Sequence, residues 1–333
     1  MLENREIVLS RRPIGLPTES DFTLRRAPMP DADTGSVLVR TLYLSVDPYM
    51  RGRMNDARSY VPPFALDTPL EGGGLAQVME PAADLSPGDV VVGQLPWREY
   101  AAVPVSAVRR VDPAHGPVTA ALGVLGMTGL TAYFGLFRIG QPQPGETVVV
   151  SGAAGAVGSV VGQLARVRGC RAVGIAGTKD KCALLQSEFG FDAAVCYRDP
   201  TWRQALRAAC PEGVDVYFDN VGGDVSDAVL PLLNDRARIP LCGQISLYNA
   251  ERVEVGPRLL PLLVVHRALM QGFIVSDFAA DFGPALRELG DLLAQGKLRH
   301  KETVVDGFER APEALISLFH GHNVGKLLVR VAT

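Results

Sequence analysis

From residue 147 onward the apolar positions come in short β-branched runs separated by stretches with helical spacing. Runs at 147–151, 172–176, 193–196, 214–219, 238–242 and 270–275 read as strands. Between them, 157–168, 179–189, 202–210 and 226–233 place apolar residues three and four apart, as helices do. That alternation predicts an α/β unit built on a parallel, doubly wound sheet. The first 120 residues differ: they are rich in proline and glycine, with partly alternating runs at 37–43, 75–79 and 88–92. Short strands with turn signals between them predict a small β-rich domain, closed or partly closed. Residues 120–137 return to helical spacing, interrupted by Gly123, Gly126 and Gly129, which permit close backbone packing. From about residue 291 a strand-like 301–306, a helix at 311–320 and a strand at 326–331 form a tail able to complete the first domain. The expected division is therefore 1–120, 121–290 and 291–333.

The sharpest local signal is where the first buried run meets its glycines. Residues 147–151 are followed by Gly152, Gly155 and Gly158, then by a helical pattern. A strand, a tight turn and a helix whose free N–H groups face an anion is the arrangement that holds a dinucleotide pyrophosphate. Gly152 suits the turn, Gly155 the close approach of the phosphates, and Gly158 the packing of helix on strand. An NAD site wants an acidic residue at the end of the second strand, for the ribose hydroxyls. Here the chain reads Ala176, Gly177, Thr178, Lys179, Asp180, Lys181. Lys181, helped by Thr178 and Tyr197, is the candidate for a 2′-phosphate, against the plainer reading of a solvated helix lysine. Asp219 to Gly223 and Cys242 to Asn249 close two further strands, where open α/β sheets place ligands. Asn220, Ser246 and Tyr248 are candidates there for ribose or nicotinamide, although Asn220 before two glycines also makes a turn unaided.

Composition narrows the class. With 333 residues, 47% hydrophobic and 21% charged, the chain can bury a sizeable core and is not disordered as a whole. A formal charge of −3 offers no basic field for nucleic acid. The charged start lacks the apolar core of a signal peptide, and the greasiest stretch, near 259–265, contains Pro261 and is too short to span a bilayer. A cytoplasmic protein is the expectation. The cysteines Cys170, Cys182, Cys196, Cys210 and Cys242 are scattered singly, which reads as free thiols rather than a zinc site.

Taken with Ser45 to Arg51 (SVDPYMR) and Met127 to Phe134 (MTGLTAYF), these residues resemble the medium-chain dehydrogenase/reductase superfamily. Within it the chain is similar to the zinc-independent alkenal and prostaglandin reductases and their curcumin-reductase-like relatives. The markers are Ala153 to Ser159, Tyr217 to Gly223, Gly272 to Val275 and Asn323 to Lys326, so the likeness spans nearly the whole chain. It implies a GroES-like β-rich catalytic domain made from both chain ends, a central Rossmann domain, NADPH as cofactor and a homodimer. It also implies that Gly155, Ala156, Val157 and Gly158 hold pyrophosphate and that Lys181 and Tyr197 hold the 2′-phosphate. Asn220, Cys242, Gly243, Gln244, Ile245, Ser246, Tyr248, Phe273, Ile274, Val275 and Asn323 would line the rest of the groove, with Met127 and Thr128 beside the nicotinamide. Zinc-dependent members carry an early Cys and a Gly-His-Glu. Here those regions read Ser45 with Asp47, and Leu70, Glu71, Gly72, so no metal is expected.

The chemistry implied is hydride addition to the β-carbon of a small conjugated carbonyl compound, giving an enolate. Tyr49 is the first candidate for a donor to the oxyanion and Tyr248 the second, each against a core tyrosine with a satisfied hydroxyl. Arg51 is a candidate to orient substrate, against an exposed arginine with no role. Mammalian prostaglandin reductases place a tyrosine shortly before the Phe273-like segment. This chain has Leu263, Val264, Val265, His266 and Arg267, and the lone His266 stays outside the catalytic set. Rival readings are a quinone reductase of the zeta-crystallin type and an NADPH-binding protein without turnover.

Overall fold

Thr147–Ser151 is buried at every position. A strand covered on both faces has no polar side to show, which is why its sequence is an unbroken β-branched run rather than an alternating one. In the computed structural model, which describes residues 3–113 and 116–332, this strand lies inside a six-stranded sheet. The strands follow the order Ala193–Cys196, Arg171–Ala176, Thr147–Ser151, Val214–Phe218, Leu233–Leu241, Leu269–Gly272, all parallel. The order reverses between Thr147–Ser151 and Val214–Phe218, so the loops at their carboxyl ends diverge and leave a crevice.

The chain divides into two compact units, one of Gly123–Lys301 and one of Met1–Leu122 with Glu302–Thr333. The second crossing falls later than position 290 because Phe282–Ala294 is a helix of the sheet-bearing unit. Leu289 and Leu292 are buried, and Gln163 exchanges two hydrogen bonds with the Arg299 backbone (2.9 and 2.8 Å). Pro231 halts the helix expected over 226–233: it runs over Gly223–Val229, and Leu233–Leu241 is already strand. That strand carries a register shift opposite Val214–Val216, and Arg236 has φ of 62°, so its polar start hides it from periodicity. The last strand ends at Gly272 instead of 275. Gly129, in the helix Met127–Phe134, is required as foreseen, since a Cβ there would collide with the Val124 carbonyl.

The other unit is built on a seven-stranded sheet. Glu302–Asp306 and Lys326–Arg330 pair in parallel, and the latter joins Ser36–Ser45 antiparallel. Glu71–Val78, Val90–Pro96 and Val108–Arg110 continue the sheet, and Tyr100–Pro104 also pairs with Ser36–Ser45. The C-terminal tail thus lies beside strands of the first hundred residues. Asn4–Leu9 and Phe22–Ala27 form a separate antiparallel ribbon. One core gathers Ile7, Leu44, Met50, Trp97, Phe308 and Leu315, from both chain ends. No helix among the described residues is long and apolar enough to cross a membrane.

Candidate functional site

At the carboxyl end of Thr147–Ser151 the chain turns through Gly152 (φ 59°), where Gly155 N–H donates to Gly152 O at 3.0 Å, and enters the helix Gly158–Val167. A Cβ on Gly158 would stand 2.5 Å from Gly152 O and 2.7 Å from Ala153 Cα, so only glycine lets the helix start so close to the turn. Val157 O already accepts from Val160 and Val161. The helix therefore opens at the carboxyl end of the sheet with first-turn N–H groups that no intrahelical carbonyl takes, where an anion is favoured.

Next to this turn, Arg171–Ala176 and Ala193–Cys196 leave the sheet side by side, with Cys196 in register with Ala176 and Tyr197 N–H donating to Ala176 O at 3.0 Å. Thr178 caps the helix Lys179–Ser187 by accepting from Lys181 N–H at 3.2 Å. The Lys181 ammonium is half-buried, and its pKa is lowered by that burial and by the neighbouring Arg198 guanidinium. The Tyr197 hydroxyl sits over Gly177, where a Cβ would come within 3.2 Å of it.

The loops after Val214–Phe218 and Leu233–Leu241 are organised by Asp219, which is buried; its segment is marked in the sequence, but Asp219 itself carries no assigned role there. Its Oδ1 accepts from Ser151 Oγ (2.9 Å), Tyr217 OH (2.8 Å) and the N–H groups of Val221 and Gly222 (both 3.0 Å). Its Oδ2 accepts from Ser226 Oγ (2.6 Å) and Gln244 Nε2 (2.9 Å). Six donors on one carboxylate tie together four separate segments. Asn220 is drawn against the glycine turn: its N–H donates to Ser151 Oγ and its Nδ2 to Ser151 O, both at 2.8 Å. Ser246 Oγ donates to Val221 O at 2.6 Å, and Ile245 N–H to Asn220 O at 3.3 Å. The Tyr248 hydroxyl accepts from Gln244 N–H at 3.3 Å, and its pKa is raised chiefly by burial. Burial likewise pushes the Cys242 thiol up to about 12. Gly152, Asn220, Gly243, Gln244, Ile245, Ser246 and Tyr248 thus form one continuous surface.

Phe273 lies edge-on to Phe218, ring centroids 6.3 Å apart, with Ile274 and Val275 half-buried after it. Met127 opens the helix Met127–Phe134 and is 37% exposed. Thr128 is buried, and its hydroxyl has no hydrogen-bond partner among the described residues. A buried hydroxyl normally finds a partner, so this one fits an absent polar ligand. With the glycine cradle it meets what a dinucleotide requires of this unit.

Tyr49, Arg51 and Asn323 belong to the other unit. Asn323 Nδ2 donates to Gly325 O at 2.9 Å, in the turn before Lys326–Arg330. Tyr49 begins the short helix Tyr49–Arg53, and burial, then the Asp47 charge, holds its hydroxyl well above the ordinary tyrosine range. Arg51 is not the exposed arginine that its type suggests. It is 3% exposed and donates to Gly15 O (2.9 Å) and Asn55 Oδ1 (2.7 Å), fastening the N-terminal loop. Beneath Tyr49, the Ser45 hydroxyl donates to Asp47, whose other oxygen takes Lys326 Nζ at 2.6 Å. Glu71 pairs with Arg53 at 2.7 Å. The positions where zinc-dependent relatives keep ligands are therefore filled by groups that satisfy one another, with no thiolate or imidazole among them, and they do not fit a zinc ion. His320 and His322 stack at 5.6 Å, and His266 faces Asp235 at 3.4 Å. No cluster of three or more His, Cys, Asp or Glu suited to a metal occurs among the described residues.

Two family models match the chain. Residues 5–111 match a family model described as the N-terminal domain of oxidoreductase, and residues 156–291 one described as zinc-binding dehydrogenase. A Bacillus subtilis (strain 168) protein provisionally named an NADP-dependent oxidoreductase, YfmJ, is 54% identical over 98% of both chains. The NADPH-dependent curcumin reductase of Escherichia coli (strain K12) is 44% identical, over 99% of this chain and 97% of its own. The crystal structure of CurA from Vibrio vulnificus in complex with NADPH superposes with a TM-score of 0.94, at 43% identity and 99% coverage of each chain.

Proposed function

The chain belongs to the alkenal/prostaglandin reductase family of the medium-chain dehydrogenase/reductase superfamily, and from that premise we propose that it reduces the C=C bond of α,β-unsaturated ketones and aldehydes with NADPH. It is an NADP-dependent oxidoreductase. The observation that carries the choice of reaction is the self-satisfied Ser45–Asp47–Lys326 set, which offers no metal ligand and leaves this unit the neutral Tyr49 hydroxyl as its candidate donor. Reducing a carbonyl creates a localised alkoxide that calls for a metal or a donor that gives up its proton readily, which the raised pKa of Tyr49 disfavours. Adding hydride to a conjugated β-carbon spreads the charge over an enolate, and one good hydrogen-bond donor suffices.

Bound NADPH supplies the hydride. Tyr49 donates a hydrogen bond to the substrate oxygen as charge gathers there. Its raised pKa keeps the hydroxyl protonated at neutral and mildly alkaline pH, and it also makes release of that proton unfavourable. Tyr49 thus stabilises the enolate without becoming the proton source, and the α-carbon takes its proton from solvent. Tyr248, whose hydroxyl closes its own loop, lines the cofactor surface. Lys181, Thr178 and Tyr197 receive the 2′-phosphate, and Asn220, Thr128 and the 242–248 loop receive the ribose and nicotinamide. Arg51 acts by holding the Tyr49 helix rather than by touching substrate.

Incubation with NADPH and a mixed enone panel should give saturated ketones by mass spectrometry. Tyr49→Phe should lower kcat/KM about 100-fold, the worth of one oxyanion donor, with NADPH affinity unchanged. Allylic alcohols as products, or turnover of quinones alone, would overturn the reading.

The protein is proposed to act as a homodimer in the cytoplasm. Five free cysteines suit a reducing compartment. Leu269–Gly272 is an edge strand, and in the segment leading to it Val253 (95%), Val255, Leu260, Val264 (79%) and Val265 are strongly exposed. An open edge beside so much apolar surface suits a second copy, edge to edge about a two-fold axis. Sedimentation should give a dimer that Val264→Glu with Val265→Glu converts to monomer. A monomeric parent protein refutes this.

A further inference from the structure

The corner beside Lys181 holds more positive charge than the glycine turn needs. Tyr197 and Arg198 follow directly on Cys196, in register with Ala176, so they leave the sheet beside Gly177 and Thr178. The Arg198 guanidinium lies 5.9 Å from the centre of the Tyr197 ring, and Arg198 is close enough to Lys181 to act on its ammonium through space. Two cations drawn together, one of them half-buried, repel, and an anion within reach of Arg198 lowers that cost. The adjacent carboxylate does not fill that place. Asp199 Oδ1 takes the Thr201 N–H and hydroxyl (3.0 and 2.8 Å), and its Oδ2 faces Lys179 at 3.9 Å. Arg198 has no carboxylate partner among the described residues, and the strand end beside it, Ala176–Gly177, offers no acid.

We infer that Arg198 is a second cation of the site for a phosphomonoester on the adenosine ribose, and that with Lys181 it sets the preference for NADPH over NADH. The inference rests on the NADPH reading above and adds a residue that reading does not use. The chemistry is specific. A guanidinium presents a fork of donors that matches phosphate oxygens, whereas the lysine acts as a point charge. At 5.9 Å from the centre of the Tyr197 ring, the guanidinium is at the outer reach of a cation–π contact with the residue assigned to the same phosphate. Arg198 sits at the rim, Lys181 deeper, and the Tyr197 hydroxyl over Gly177 closes the third side.

The test is binding to the full chain, without turnover, of two fragments that differ only in this group: 2′,5′-ADP and 5′-AMP, followed by calorimetry at low ionic strength. Arg198→Ala should weaken 2′,5′-ADP about tenfold, the worth of one charge-assisted contact, and leave 5′-AMP within twofold. Arg198→Lys should recover only part of the loss, because charge returns without the fork. Arg198 is exposed, so thermal stability should not change. If Lys181→Ala weakens 2′,5′-ADP while Arg198→Ala does not, the second-cation role is wrong and the NADPH reading stands. If neither substitution distinguishes the two fragments, the 2′-phosphate assignment itself fails. Equal weakening of both fragments by Arg198→Ala would also overturn the inference, since it would place the residue against some other part of the nucleotide.

Discussion

Lys326→Met should destabilise the unit formed by both chain ends by about 3–5 kcal/mol, the usual cost of leaving one charge of a buried pair without its partner. Lys326 and Asp47 are each 3% exposed and meet at 2.6 Å, and Lys326 Nζ also donates to Val46 O at 3.1 Å. The pair joins the strand Lys326–Arg330 to the end of Ser36–Ser45, segments almost 280 residues apart in sequence. Methionine fills a similar volume but leaves the Asp47 carboxylate with only the Ser45 hydroxyl. Adding Asp47→Asn removes the stranded charge, so the double variant should recover more than half of the loss. The two tryptophans make the measurement local: Trp97 lies in the core of this unit and Trp202 in that of the other. In a Trp202→Phe background, denaturation followed by Trp97 fluorescence reports the affected unit alone. A loss below about 1 kcal/mol, or no recovery in the double variant, would mean that the pair is not the joint described.

The strand, glycine turn and helix at 147–167 were legible because their causes are local. A strand buried on both faces writes an unbroken apolar run, and a turn too tight for a Cβ writes glycine. Other elements draw their stability from distant partners and left little local mark. Asn4–Leu9 and Phe22–Ala27 alternate poorly because Glu6 is buried between Arg25 and Arg98, at 2.7 Å from each Nε. The helix Phe282–Ala294 carries Gly283, Pro284 and Gly290; Pro284 falls in the first turn, where no intrahelical N–H is needed, and packing within its unit offsets the low propensity of the glycines. The site shows the same split. Lys181 and the glycines stood out by type and position. The burial of Arg51 left no such mark, because besides Asn55 its acceptors are backbone carbonyls of residues 13 and 15, which carry no side-chain signature. The Ser246 hydroxyl donates to Val221 O, a loop-to-loop contact no local pattern announces, and keeps its lone pairs for a ligand.

Asp219 is the extreme case: its segment is marked in the sequence, but its role as the residue on which the cofactor surface hangs depends on donors from distant positions, Ser151 and Gln244. Asp219→Ala should destabilise the sheet-bearing unit by about 3–5 kcal/mol, because the donors it satisfies are buried and not all can turn elsewhere. The three hydroxyls of Ser151, Tyr217 and Ser226 can rotate, and Gln244 can find Gly243 O, to which it already donates at 3.3 Å. The N–H groups of Val221 and Gly222 are fixed by the backbone and cannot. Asp219→Asn should cost much less, about 1–2 kcal/mol, because a retained amide oxygen in the Oδ1 position still serves those two N–H groups. The functional loss should follow the backbone rather than the charge. Alanine frees the 219–223 loop, lets Asn220 drift from Ser151, and should weaken NADPH at least tenfold, whereas asparagine should weaken it only a few-fold. In a Trp97→Phe background Trp202 reports the unfolding of this unit. Because Trp97 Nε1 has no partner among the described residues, that background forfeits no hydrogen bond. Equal losses for alanine and asparagine would show that the carboxylate's charge matters more than the two N–H groups. Alanine tolerated at less than 1 kcal/mol, with NADPH affinity intact, would remove Asp219 from the support of the site altogether.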